Sequence, residues 1–161
     1  MASRFTRVLK FTESVEEVLA VLLNPEFQKA RERVQGAVDV TIIPISKTET
    51  STDYEVVTVT YAKGLTGIDK NKTETNHAKY HWDLPARKCS WTWKGPHGDR
   101  AKVWGGLVLL PDGDEGCLLD GDFNIDVRIP LVGRKIEKIV IGETAAGWDR
   151  YEATIRKFLN E

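Results

Sequence analysis

Few residues in this 161-residue chain have types and spacing suited to chemistry. Glu143 is the first of them. It falls at the same spacing as Ile136, Ile139, Val140 and Gly147 along an apolar C-terminal stripe, so it is expected to face inward. A carboxylate buried without a partner is costly. Glu143 therefore either pairs with an interior Arg, Tyr or His or serves as the polar group of a pocket, with Thr144 to assist, unless the helix phase leaves it exposed. It is the candidate acid or base.

The second feature is aromatic. Five tryptophans occur: Trp82, Trp91, Trp93, Trp104 and Trp148. In extended backbone Tyr80 and Trp82 share one face of a strand, and Trp91 and Trp93 share a face of the next with Cys89. Adjacent antiparallel strands can set these four rings side by side as a wall. That wall has two readings. It packs as ordinary core on Ile139, Val140, Gly147 and Tyr151, with Gly147 letting a helix approach the sheet closely; or it lines a pocket for a planar or aliphatic ligand, since pockets are mostly apolar with a few polar anchors.

Other chemistries find little support. His77 and His81 are four apart on a strand, which does not bring them together as a helix would, and they lie opposite the Tyr80 and Trp82 face. A zinc site needs three or four converging ligands. His97 sits in a Gly-Pro turn. The acidic row Asp120, Asp122, Asn124 and Asp126 spreads along a strand instead of wrapping an ion, and Asp112 to Glu115 lacks the calcium-loop spacing. No metal and no cofactor is expected. No nucleophile elbow, phosphate loop or dinucleotide fingerprint occurs, and neither Ser90 nor Cys89 has a matched histidine.

The elements that must position these residues follow from periodicity. Phe5–Phe11 reads as a strand with Phe5, Arg7, Leu9 and Phe11 on one face. Ser14 with Glu17 forms a capping box for a helix carrying Val15, Val18, Leu19 and Leu22. Pro25 suits the first turn of a second helix with Phe27, Ala30 and Val34. The period then becomes two over Val38–Ile45 and Tyr54–Tyr61, where both faces of the second strand carry apolar groups. Lys63–Thr73, with its charged Asp69–Lys72 run, is expected to be a loop. Thr75–Leu84, Arg87–Lys94, Ala101–Leu110 and Gly116–Ile129 complete a meander. From Leu131 the spacing becomes helical through Tyr151, Ile155, Phe158 and Leu159, with Arg134, Lys135, Glu137 and Lys138 on the other side.

The order strand, two short helices, six-strand antiparallel meander and long helix resembles the helix-grip fold. That fold belongs to the START-like or SRPBCC superfamily, which includes the Bet v 1-like proteins. Within it the chain is most similar to the family DUF2505. The resemblance rests on Arg4-Phe5, on Val18-Leu19 with Asn24-Pro25-Glu26-Phe27, and above all on the run Asn124 to Glu137. It implies an α+β fold in which a curved antiparallel sheet of about seven strands wraps a long C-terminal helix. It also implies a hydrophobic cavity between them, of the kind that takes lipids, sterols, polyketides or aromatic compounds.

Three functions fit such a fold. One is binding or transport of a hydrophobic small molecule, with contacts from Val57, Val59, Tyr80, Trp82, Trp91, Trp93, Trp104, Phe123, Glu143, Gly147 and Tyr151. The second is a cyclase or hydratase in the same cavity, with Glu143 and a nearby Tyr or His moving protons. The third is an interaction domain of chaperone-activator type using the outer sheet face.

Length and composition bound these readings. One domain over 1–161 is expected. A formal net charge of -1 argues against broad nucleic-acid binding. No apolar run is long enough to span a bilayer, and Met1-Ala2-Ser3-Arg4-Phe5 enters strand-like sequence with no signal-peptide core. A cytoplasmic location follows, with Cys89 and Cys117 reduced. Oligomeric state is left open.

Overall fold

The computed structural model describes residues 2–64 and 67–161. Its elements are β1 (Ser3–Phe11), α1 (Val15–Leu23), α2 (Pro25–Val34), β2 (Asp39–Lys47), β3 (Ser51–Gly64), β4 (Gly67–Asp83), β5 (Lys88–Lys94), β6 (Ala101–Asp112), β7 (Gly116–Val127) and α3 (Gly133–Leu159). One antiparallel sheet runs in the order β1-β7-β6-β5-β4-β3-β2, so β1 crosses to the far side of the meander and pairs with β7. Its inner face holds α3, which at 27 residues is about 40 Å long. This is the helix-grip architecture.

Local chemistry sets the helix ends. Ser14 and Glu17 make the full capping box at α1, each side chain satisfying the other's backbone amide. Asn24 accepts from the Glu26 amide and Pro25 occupies the first turn of α2. That helix buries Phe27 and Gln28, while Val34 is exposed. α3 begins at Gly133, two residues later than the spacing predicts. Leu131 lies outside it, fully exposed with a left-handed backbone (φ 72°) in the turn that reverses the chain.

Two expectations are corrected. Lys63–Thr73 is not a loop: apart from residues 65 and 66, which lie outside the described residues, it is strand, and β3 and β4 extend as one long hairpin. Residues 67–73 are exposed on both faces, so they carry no apolar alternation to betray the strand. On α3, Glu137 faces inward instead of outward. It is 4% exposed and accepts from Ser3 Oγ at 2.6 Å and from the Val127 amide at 2.9 Å. It therefore pins β1 and the end of β7 to the start of the helix.

Side-chain parity decides which residues reach the interior. β3 pairs Tyr54 with Tyr80 and Val57 with His77, so even-numbered residues of β3 and β4 share the inner face. β4 pairs Tyr80 with Trp91 across an odd–even change, and from β5 to β7 the odd residues face inward. One core cluster joins Phe11, Val18, Phe27, Trp82, Leu119 and Ile155 under α1 and α2. A second joins Ala101, Val103, Ile125 and Val127 beneath Ile136, Val140 and Ile141 of α3.

Candidate functional site

Between these clusters lies a cavity of about 450 Å³. Its floor is the inner face of β3–β7, including Val56, Ala78, Val103 and Ile125, and its roof is α3 from Val140 to Tyr151. The register builds its aromatic wall. Tyr80 lies opposite Trp91, Trp91 opposite Gly105, and Gly105 opposite Phe123. A Cβ at Gly105 would overlap the Trp91 ring and the Asp122 carbonyl. Without it, Trp91 lies across β6 and meets Phe123 at 5.9 Å between centroids. Trp93 stands between Ala78 and Val103 in the next row.

Of the residues the sequence nominated, Tyr80, Trp91, Trp93, Phe123, Glu143, Gly147 and Tyr151 line this cavity. Four do not. Val57 and Val59 have outer-face parity; Val56 and Thr58 take their places on the cavity floor. Trp104 also has outer parity and is 38% exposed. Trp82 faces inward but is only 1% exposed, sealed in the main core, where its Nε1 donates to Tyr54 Oη at 3.2 Å.

Glu143 is not buried. Its carboxylate lies 3.3 Å from Lys63 Nζ on the β3–β4 hairpin, with the two side chains 60% and 62% exposed, and the pair marks the cavity mouth. Thr144 donates to the Val140 carbonyl at 2.7 Å and is spent on its own helix. The inward stripe is Ile136, Val140, Thr144, Trp148 and Tyr151, so Ile139, like Glu143, falls off its edge. Gly147 does not bring α3 to the sheet. Its carbonyl accepts from Gln35 Nε2 at 2.7 Å and so faces α2. The close approach is made from the sheet side, where a Cβ at Gly121 would overlap the Trp148 ring.

Sequence reasoning missed Arg31, at the α2 end of the cavity. Its Nη1 donates to Tyr80 Oη at 3.2 Å, and its guanidinium lies over the Tyr151 ring, Cζ 4.6 Å from the centroid. Glu32 Oε1 is 3.7 Å from Arg31 Nε. Burial disfavours the Arg31 charge, but Tyr80, Glu32, Tyr151 and Tyr54 around it outweigh that and hold the group cationic. Burial pushes the Tyr80 phenol up to about 12, with Arg31 opposing the shift. The Cys89 thiol is likewise pushed up to about 12 by burial. The available signal for Arg31 was its place four residues after Phe27, on the inward side of α2.

The outer face of the sheet holds two histidine–carboxylate pairs. His77 Nδ1 lies 2.8 Å from Glu55 and His81 Nδ1 lies 2.7 Å from Asp53, as cross-strand pairs. Among the described residues no three His, Cys, Asp or Glu side chains gather to hold a metal ion. Cys89 and Cys117 are both buried and unpaired. No helix among the described residues is long and apolar enough to cross a membrane.

Comparison with solved structures places this geometry in a known fold. The chain is similar to Ara h 8.0201, at TM-score 0.67 and 11% identity over 100% of each chain. It is similar to the Zhui aromatase/cyclase of Streptomyces sp. R1128, at TM-score 0.64 and 7% identity over 99% of this chain and 94% of that one. Norcoclaurine synthase of Thalictrum flavum gives TM-score 0.63 at 14% identity over 100% and 88%. Among curated proteins none matches. At these identities the structures share the Bet v 1-like fold and nothing finer. The sequence itself is more specific: residues 6–159 match the family described as a protein of unknown function, DUF2505, and the chain belongs to that family.

Proposed function

We propose that this protein binds a hydrophobic small molecule, with an aromatic or polycyclic body, between the sheet and α3. The observation that carries the reading is the cavity of about 450 Å³ walled by Trp91, Trp93 and Phe123. That volume lies in the range of small-molecule sites, and a largely apolar aromatic wall with a few polar groups is what such ligands require. One of the similar structures, a Thalictrum flavum norcoclaurine synthase, is a complex with dopamine and hydroxybenzaldehyde. Compounds of that aromatic class are reasonable first ligands here.

The cavity also weighs the alternatives. A cyclase or hydratase needs two titratable groups within reach of each other. Arg31 and Tyr80 meet that distance, but a phenol pushed up to about 12 and an arginine held cationic both keep their protons near neutral pH. The pair therefore favours holding a ligand over shuttling a proton. Glu143, exposed and paired with Lys63, is placed to guard the mouth. An interaction domain of chaperone-activator type needs no such interior space.

Titration with 1-aminoanthracene, which brightens in apolar surroundings, tests the proposal. The wild type should give saturable fluorescence. Val140→Trp, which fills the roof of the cavity, should abolish most of it while the variant keeps its far-ultraviolet circular dichroism. Unchanged binding by folded Val140→Trp would overturn the assignment of the site.

A further inference from the structure

We propose that the ligand carries a single carboxylate, received by Arg31 and Tyr80 at the α2 end of the cavity; this inference rests on the ligand-binding reading above. Arg31 occupies an uncommon position. Its side chain is only 25% exposed, and it borders both the large cavity and a void of about 10 Å³ beneath it. The Tyr151 ring under its guanidinium and the Tyr80 hydroxyl on Nη1 fix its orientation. Nε is buried and, among the described residues, donates to nothing. Glu32 at 3.7 Å is an ion-pair neighbour beyond hydrogen-bond reach. Tyr80 Oη accepts from Arg31, which leaves its own proton to give.

A buried donor without an acceptor costs stability. Arg31 Nε is one such donor, and Gln28 Oε1, which also lines the small void, is a buried acceptor without a donor among the described residues. On the side of the large chamber, which Arg31 and Tyr80 both line and Gln28 does not, a cation and a hydroxyl with a proton to give call for an acceptor-only group, and a carboxylate is that group. The charge balance agrees. Among the described lining residues Arg31, Lys63 and Arg150 are cationic, while Glu32 and Glu143 are anionic. One formal positive charge is left, enough for a monoanion. Trp91, Trp93 and Phe123 would then hold the apolar body away from the acid group. The simplest competing occupant is one water, for which the small void has about the right size. A water would confer no preference for acids.

The test displaces 1-aminoanthracene from the protein with a matched pair of competitors, 6-phenylhexanoic acid and 6-phenylhexanamide, at pH 7. These share shape and apolar surface and differ in charge. The acid should displace the probe at about tenfold lower concentration than the amide, the size of effect a charge-assisted hydrogen bond gives. In Arg31→Gln that ratio should fall to about one, and Arg31→Lys, which keeps the charge, should retain part of it. Tyr80→Phe should reduce it less than Arg31→Gln. Equal displacement by acid and amide in the wild type would overturn the inference while leaving the ligand-binding reading intact, and needs no variant to fold. A ratio unchanged in folded Arg31→Gln would also overturn it. Failure of the probe itself to bind would remove both readings.

Discussion

The inner face of the sheet has two ends built from the same residue types with opposite results. At one end Trp82, flanked by Cys89 and hydrogen-bonded to Tyr54, is sealed under α1 and α2. At the other, Trp91 and Trp93, one strand away, line open space. The difference lies in what stands above them. Two short helices close the first end, whereas the middle of α3 spans the second, and its Val140 and Thr144 are too small to fill the gap. A row of aromatics therefore does not itself specify core or pocket; the volume of the facing helix decides.

The largest expected effect sharpens that contrast. Trp82→Ala should cost about 3–5 kcal/mol in urea unfolding, as for other buried tryptophans. Trp93→Ala, half-buried at the edge of open space, should cost about 1–2 kcal/mol for its lost apolar area yet weaken 1-aminoanthracene binding. Equal destabilisation by both would mean that the second end is also solid core.

A second expectation concerns pH. Tyr80 and Cys89 are held neutral in the folded protein, both pushed up to about 12 by burial, from ordinary values of 10.0 and 9.0. The unfolded chain releases these protons first as pH rises, so their contribution to stability is complete below about pH 9 and is lost on the way to pH 12. Urea midpoints measured from pH 7 to 11 should stay level and then fall. Tyr80→Phe should flatten the part of the fall above pH 10; a fall unaffected by that substitution would place Tyr80 in a wetter site.

The smallest effect belongs to the mouth. Lys63→Ala and Glu143→Ala remove an exposed ion pair and should change stability by no more than about 0.5 kcal/mol. A larger loss in the urea midpoint would show that the hairpin leans on α3 through more than that pair.

Much of this arrangement could be read in the sequence, for identifiable reasons. Ser14, Glu17 and Pro25 carry their geometry locally, so the first two helices and their ends were predictable. β7 alternates cleanly because one face meets the core and the other meets water. Other features depend on partners remote in sequence. Val57 and Val59 are as apolar as Val56, and only the register of β3 on β4 sends them outward. The far part of the β3–β4 hairpin has no buried face, so nothing in Asp69–Lys72 marks it as strand. On α3 two carboxylates six residues apart exchange their expected places: Glu137 is buried by Ser3 and the Val127 amide, and Glu143 meets Lys63 at the surface. Arg31 sits on a highly charged helix, where a single inward cation does not stand out. Its role emerges only when Tyr80 and Tyr151 close around it.

The central claim, that the space beneath α3 holds a hydrophobic small molecule, is tested most directly by native mass spectrometry of freshly purified protein beside its denatured mass. A reproducible extra mass that denaturation releases, and that Val140→Trp lacks, is the predicted result. A bare chain in the native spectrum, unchanged after incubation with aromatic acids and amides, would contradict it.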